Sequence, residues 1–158
     1  MATAHRYPSN AENGGAIPSG KNRRIALVVS EWNPEITENL YNGAYKVLLE
    51  NGVAANDIFR TTVPGSFELV YGAKKAIQMG VDAVIVIGSV IQGETRHFDF
   101  VCQGVTQGVQ MLNVQYDVPI IFCVLTDNTL EQAQARSGGV LGNKGEEAAV
   151  AALKMASI

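Results

Sequence analysis

Cysteine is scarce: Cys102 and Cys123 are the only two in 158 residues, and no CxxC pair brings a second thiol close to either. A disulfide framework is excluded, and two reduced, buried thiols in a cytosolic protein are expected instead. Long apolar runs are also lacking. The purest, residues 83–87, is bounded by Asp82 and Gly88, far short of the ~20 residues that span a bilayer, so insertion into a membrane is excluded. Charge is modest, at 17% of residues with a net value of −3. A chain without an excess of Lys and Arg has no field that collects polyanions, and nucleic acid is not an expected partner. The first 21 residues are rich in Asn, Pro, Gly and Ser and lack the apolar core of a secretory signal, which reads as a mobile N-terminal arm over residues 1–22.

What remains is an ordinary globular composition, 47% hydrophobic, in one expected domain over residues 23–158. A chain this long buries roughly 70% of its unfolded surface, enough for a single core. Residues 24–30, RIALVVS, form a short continuous apolar run of the kind found in a parallel strand covered on both faces. Asn33 followed by Pro34 predicts a helix start, and Ile36, Leu40, Ala44, Val47 and Leu48 recur at helical spacing before Asn51 and Gly52. The unit then repeats. Residues 58–63 read as a strand and residues 66–79 as a helix stopped by Gly80. Residues 83–87 are a third strand, residues 88–95 a glycine-flanked loop, and residues 96–116 a helix with Val101, Val105, Gly108 and Leu112 on one face. Residues 119–125 give a fourth strand. Asn128 with Glu131 predicts a capping box for a short helix ending near Ser137, Gly138 and Gly139 break it, and residues 143–155 form a terminal helix. Strands alternating with helices force parallel pairing through right-handed crossovers, hence an α/β fold, a three-layer α/β/α sandwich.

In such a sheet ligands bind beyond the carboxyl ends of the strands, so the strand-to-helix loops hold the candidates. The first loop carries Trp32, whose flat ring can stack on a planar ligand or serve in packing. The second, residues 63–68, has Gly65 to free the turn, Phe67 as another ring, and Glu68, which can accept from ligand hydroxyls or favour the helix dipole. The third spaces its glycines like a Walker loop, but Glu94 stands where the phosphate-binding lysine is required, so nucleoside triphosphates are disfavoured. A turn with free backbone N–H groups and the Thr95 hydroxyl remains, suited to a single phosphate. His97, two residues on, can exchange protons with a ligand held there, or be structural. Phe122, Arg136 and Lys144 form a fourth group, in which arginine suits phosphate and either cation could equally be solvated surface.

The blocks VPGSFEL, GSVIQGETRHFDFV, FCVLT, EQAQAR and GNKGEEAA, spread from Val63 to Ala149, resemble those of the lumazine synthase family in order and spacing. The resemblance implies a flavodoxin-like four-stranded parallel sheet and an enzyme of riboflavin biosynthesis. Such enzymes condense 5-amino-6-(D-ribitylamino)uracil with 3,4-dihydroxy-2-butanone 4-phosphate, with no metal and no organic cofactor. It implies that Trp32 stacks on the uracil ring with Asn33, Ser66 and Phe67 nearby, and that Glu68 holds the ribityl hydroxyls. Main-chain groups around Ser89, Val90 and Ile91 bind the uracil and ribityl side, Gly93, Glu94 and Thr95 take the phosphate, and His97 moves protons. A neighbouring subunit supplies Phe122 as a second aromatic wall, Arg136 to the phosphate and Lys144 to a ring carbonyl. Val140 stands where many relatives carry lysine, and Glu94 brings negative charge to the phosphate turn.

The family forms homopentamers, and many members build an icosahedral shell of 60 subunits. With no insertion between Gly138 and Gly142, and an arm resembling the segment that extends a neighbour's sheet, the shell is the expected form. Riboflavin synthase is the partner that such a shell is placed to enclose, and no residue decides whether it does. Two alternatives stand beside the enzyme: a non-catalytic flavin- or lumazine-binding module, and a cage protein that has kept assembly and lost chemistry.

Overall fold

The computed structural model describes residues 16–158, so the expected arm lies outside the described residues up to residue 15. The described end of that stretch lies against the body. Ile17 packs on the core, and the Gly20 amide donates to the Asn51 carbonyl at 2.8 Å.

The elements are β1 (Ile25–Ser30), α1 (Pro34–Glu50), β2 (Ile58–Val63), α2 (Leu69–Ile77), β3 (Ala83–Ile91), α3 (His97–Gln115), β4 (Ile120–Asp127) and α4 (Leu130–Arg136). A two-stranded ribbon of β5 (Ser137–Gly139) and β6 (Gly142–Asn143) leads into α5 (Lys144–Met155). The main sheet has the order β2-β1-β3-β4, and its pairs are parallel. This is the expected α/β sandwich.

The apolar strands explain the layers. All six residues of β1 are buried, and alternate ones point to opposite faces, as the pleat requires. Ile25, Leu27 and Val29, with Ile85 and Ile87 of β3, meet Ile36, Leu40 and Leu48 of α1 and Ala149 and Leu153 of α5. Ala26 and Val28, with Val84 and Val86 of β3, meet Leu69 and Ala73 of α2 and Val105, Val109 and Leu112 of α3. Each Val, Leu or Ile side chain among them, fully buried, contributes roughly 1.5–3 kcal/mol. A strand polar on one face would forfeit half of this, which is why both faces read as apolar in the sequence. Because α1 covers one face and α2 the other, the chain turns to opposite sides of β1. The crevice beyond β1 and β3 is the switch point where such sheets bind ligands.

Five local expectations are corrected. The third strand does not stop at Ile87: residues 88–91 continue it, paired with Val124, Leu125, Thr126 and Asp127 of a β4 that runs two residues past its expected end. The neighbouring strand supplies hydrogen bonds that composition alone does not announce. Residues 66–79 are not one helix, for Ser66–Glu68 is a 3-10 turn before α2. Asn33 does precede α1, but it sits in the left-handed region (φ 55, ψ 57) and its side chain caps nothing. The cap of α4 is Thr129, which accepts from the Gln132 amide, while the Gln132 side chain accepts from the Asn128 amide. The capping pair is therefore one residue further on, with Gln132 in place of Glu131. The break at Gly138 and Gly139 is a ribbon, and Asn143 is the cap of α5, accepting from the Gly145 amide at 2.8 Å.

Candidate active site

A cleft of about 500 Å³ opens at the switch point, lined by Trp32 and Asn33 after β1, the turn from Gly65 to Glu68 after β2, the end of β3 from Ser89 to Ile91, and His97, Phe100 and Val101 on α3. Three strand ends and one helix start therefore converge, as parallel topology dictates.

Each wall has a local cause. Trp32 stands 71% exposed and Phe67 58% exposed; large rings left in water mark a surface that a ligand can cover. Phe67 is held by α3, since a Cβ on Gly104 would come within 2.5 Å of its ring. Gly65 separates Trp32 from Glu68: a Cβ there would lie 3.0 Å from the Glu68 Oε2 and 3.4 Å from the Trp32 Cδ1. Without a side chain, that turn lets indole and carboxylate approach one another across it. The floor depends on Gly88, where a Cβ would lie 2.6 Å from the Ser66 Oγ. Ser66 is 6% exposed, and its hydroxyl has no hydrogen-bond partner among the described residues. A buried hydroxyl without a partner is costly, and this one belongs to a residue that lines the cleft.

Asn33 ties two walls together: its amide nitrogen donates to the Ser89 carbonyl at 2.9 Å. His97 opens α3, with its amide donating to the Thr95 Oγ1 at 3.4 Å. Gly93, Glu94 and Thr95 are exposed and lie beside the cleft rather than lining it. Arg96 precedes the helix, pairing with Asp99 at 3.5 Å and lying over the Phe100 ring at 5.9 Å.

Ten of the sequence candidates thus meet in one place: Trp32, Asn33, Ser66, Phe67, Glu68, Ser89, Val90, Ile91 and His97 line the cleft, with Gly65, named for its turn, among them. Phe122, Arg136 and Lys144 do not line it. Phe122 is half-buried on β4, against the face covered by α2 and α3. Arg136 pairs with Asp127 at 3.6 Å and donates to the Gln132 carbonyl at 2.9 Å. The Lys144 Nζ donates to Glu147 at 2.8 Å. Burial pushes the Asp127 carboxyl up from its ordinary range, opposed by Arg136. The Cys123 thiol is pushed up to about 12 by burial first and by the Glu147 charge second.

Phe100 and Val101 are lining residues that the motif search passed over. Their signal was present: His97, Phe100 and Val101 stand at i, i+3 and i+4, one face of a helix start. Among the described residues no group of three or more His, Cys, Asp or Glu is placed to hold a metal ion, and no helix is long and apolar enough to cross a membrane.

A sequence model of the family described as 6,7-dimethyl-8-ribityllumazine synthase matches residues 22–158. A 6,7-dimethyl-8-ribityllumazine synthase of Flavobacterium johnsoniae is 62% identical over 159 aligned residues, covering 100% of this chain and 83% of that protein. Proteins of the same name from Christiangramia forsetii and Porphyromonas gingivalis are 61% and 54% identical, over 90% and 100% of this chain and 86% and 98% of their own lengths. Fold, cleft and these likenesses agree, and the chain belongs to the 6,7-dimethyl-8-ribityllumazine synthase family.

Proposed function

We propose that this chain is a transferase of riboflavin biosynthesis, condensing 5-amino-6-(D-ribitylamino)uracil with 3,4-dihydroxy-2-butanone 4-phosphate to give 6,7-dimethyl-8-ribityllumazine, phosphate and water. The observation that carries the reading is the pair of exposed rings, Trp32 and Phe67, over a cleft that also holds Glu68 and His97. A planar pyrimidine with a polyhydroxyl tail needs such walls: apolar faces for the ring, and acceptors for the hydroxyls.

Roles follow from position. Trp32 stacks on the uracil, Ser66, Phe67 and the main chain at Ser89, Val90 and Ile91 hold its edges, and Glu68 takes the ribityl hydroxyls. The turn at Gly93, Glu94 and Thr95 receives the phosphate. Amine attack on the ketone forms an imine with loss of one water, phosphate leaves by elimination, and the second amine closes the ring on the remaining carbonyl with loss of a second water. His97 moves protons between these steps. The reactants are already reactive, so holding them in near-attack geometry supplies most of the acceleration.

The cleft is open toward solvent, and the aromatic and the two cations of the fourth candidate group lie outside it. Both facts support a site shared between subunits, in which a neighbour supplies Phe122, Arg136 and Lys144. The assembly is a homopentamer, built further into a 60-subunit shell. Free Cys102 and Cys123 suit the reducing cytosol as its compartment. An absorbance assay of lumazine formation tests the activity; no rate above the uncatalysed one from assembled protein refutes it. Co-expression tests the shared site. His97→Ala and Arg136→Ala subunits, each impaired alone, regain activity when mixed in one particle only if the two residues serve the same pocket from different chains.

A further inference from the structure

Asp127 ends β4 with a side chain only 7% exposed. Burying a carboxylate costs several kcal/mol unless it is paired and hydrogen-bonded, and this one is served on one side only. Its Oδ1 faces the Arg136 Nη1 at 3.6 Å, while its Oδ2 has no partner among the described residues. The same Nη1 donates to the Gln132 carbonyl at 2.9 Å, one turn back on α4. Both contacts fall on a single nitrogen. Among the described residues, Nε and Nη2 of Arg136 have no hydrogen-bond partner, and the side chain is 30% exposed.

We propose that Asp127 is a positioning residue: with the Gln132 carbonyl it pins the Arg136 guanidinium by Nη1, so that the Nε and Nη2 edge is presented as a two-pronged donor to the phosphate of the four-carbon substrate. This rests on the proposed function, in which Arg136 binds that phosphate. Guanidinium recognition of phosphate is bidentate and planar, and an unpinned arginine must lose its rotamer freedom at the moment of binding. Asp127 removes that freedom beforehand. Its negative charge opposes phosphate binding, but the charge is already met by Nη1, so the orienting effect outweighs it.

The test uses the assembled enzyme and measures KM for each substrate, with inhibition by inorganic phosphate as a second readout. Asp127→Ala should raise KM for the phosphate substrate about tenfold, the scale of side-chain ordering, and weaken inhibition by inorganic phosphate alike. The value for the ribitylamino-uracil and kcat should change little. Asp127→Asn, which keeps an acceptor oxygen and the side-chain shape, should recover part of the loss and guards against misfolding of the alanine variant. In an Arg136→Ala background, Asp127→Ala should add nothing, whereas a merely structural role would add its own defect. If Arg136→Ala raises the phosphate-substrate KM and neither Asp127 variant does, or they lower it, the positioning role fails and the phosphate role of Arg136 stands. If Arg136→Ala itself leaves that KM unchanged, the reading beneath the proposal fails, and the proposal with it.

Discussion

The amide nitrogen of Asn33 donates to the main-chain carbonyl of Ser89 at 2.9 Å, joining the loop after β1 to the end of β3 across the cleft. Asn33 does this from the left-handed region, at φ 55, which asparagine tolerates better than most residues. Asn33→Ala loses the bond and strains the backbone, about 1 kcal/mol for each. Asn33→Gly loses only the bond. The melting temperature at fixed protein concentration should fall in the order native, Asn33→Gly, Asn33→Ala; equal values for the two variants would show that backbone conformation contributes nothing.

Gly88 sets the cleft floor. Gly88→Ala places a Cβ 2.6 Å from the Ser66 Oγ and 3.0 Å from the Leu69 Cδ1, displacing Ser66 and raising KM for the ribitylamino-uracil. Gly72→Ala is the control: its Cβ would meet the Val28 Cγ1 at 2.6 Å in the core, so it should lower the melting temperature while leaving that KM nearly unchanged. Parallel effects in both would reduce the Gly88 effect to packing.

Trp32 is the single tryptophan of the chain and lines the cleft, so its fluorescence reports occupancy. Titration with 6,7-dimethyl-8-ribityllumazine should quench it saturably. Trp32→Ala should weaken binding roughly five- to tenfold, the scale of an aromatic pair worth about 1 kcal/mol, and Trp32→Phe much less. Absence of quenching from an active enzyme would remove Trp32 from the pocket.

His97→Ala should keep measurable turnover, with kcat reduced by about a hundredfold at most, if holding the reactants supplies most of the rate. Added imidazole should restore part of the loss. A complete loss, with substrate binding intact, would make proton transfer rather than positioning the main contribution.

Cys123 titrates far above its ordinary value of 9.0, at about 12, because burial penalises the thiolate. Iodoacetamide at pH 8 should therefore modify Cys123 only after unfolding. The linkage has a sign: the unfolded chain loses this proton first, so folded stability is complete below pH ~9 and is lost as pH rises toward 12, by up to about 1.4 kcal/mol per pH unit. The alkaline slope should flatten in Cys123→Ala; an unchanged slope would place the titrating group elsewhere.

Much of this architecture was legible in residues. The continuous apolar strands announced burial on both faces, and Pro34, Gly80 and the Asn51–Gly52 pair punctuated the helices close to where they begin and end. The residues at the strand ends, Trp32, Ser66, Phe67, Glu68 and His97, could be picked out because parallel topology leaves ligands only that edge of the sheet. Other features had no local signature. Gly88 and Ser89 read as loop, since glycine and serine disfavour strands, yet β4 lies alongside and satisfies their main chain. Phe100 and Val101 did carry one, their i+3 and i+4 spacing from His97, but it pointed to the site only once α3 was placed over the cleft.

By itself the sequence determined the order of elements, the parallel sheet and its two apolar faces, because hydrophobic periodicity and turn residues act locally and are written in neighbouring positions. Tertiary structure alone decided which candidates share a pocket. It set Trp32, Glu68 and His97 around one cleft while turning Arg136 to Asp127 and Lys144 to Glu147. Those pairings join different elements or depend on how a helix end is buried, and their energies arise from distance and desolvation, quantities that exist only once the chain has packed.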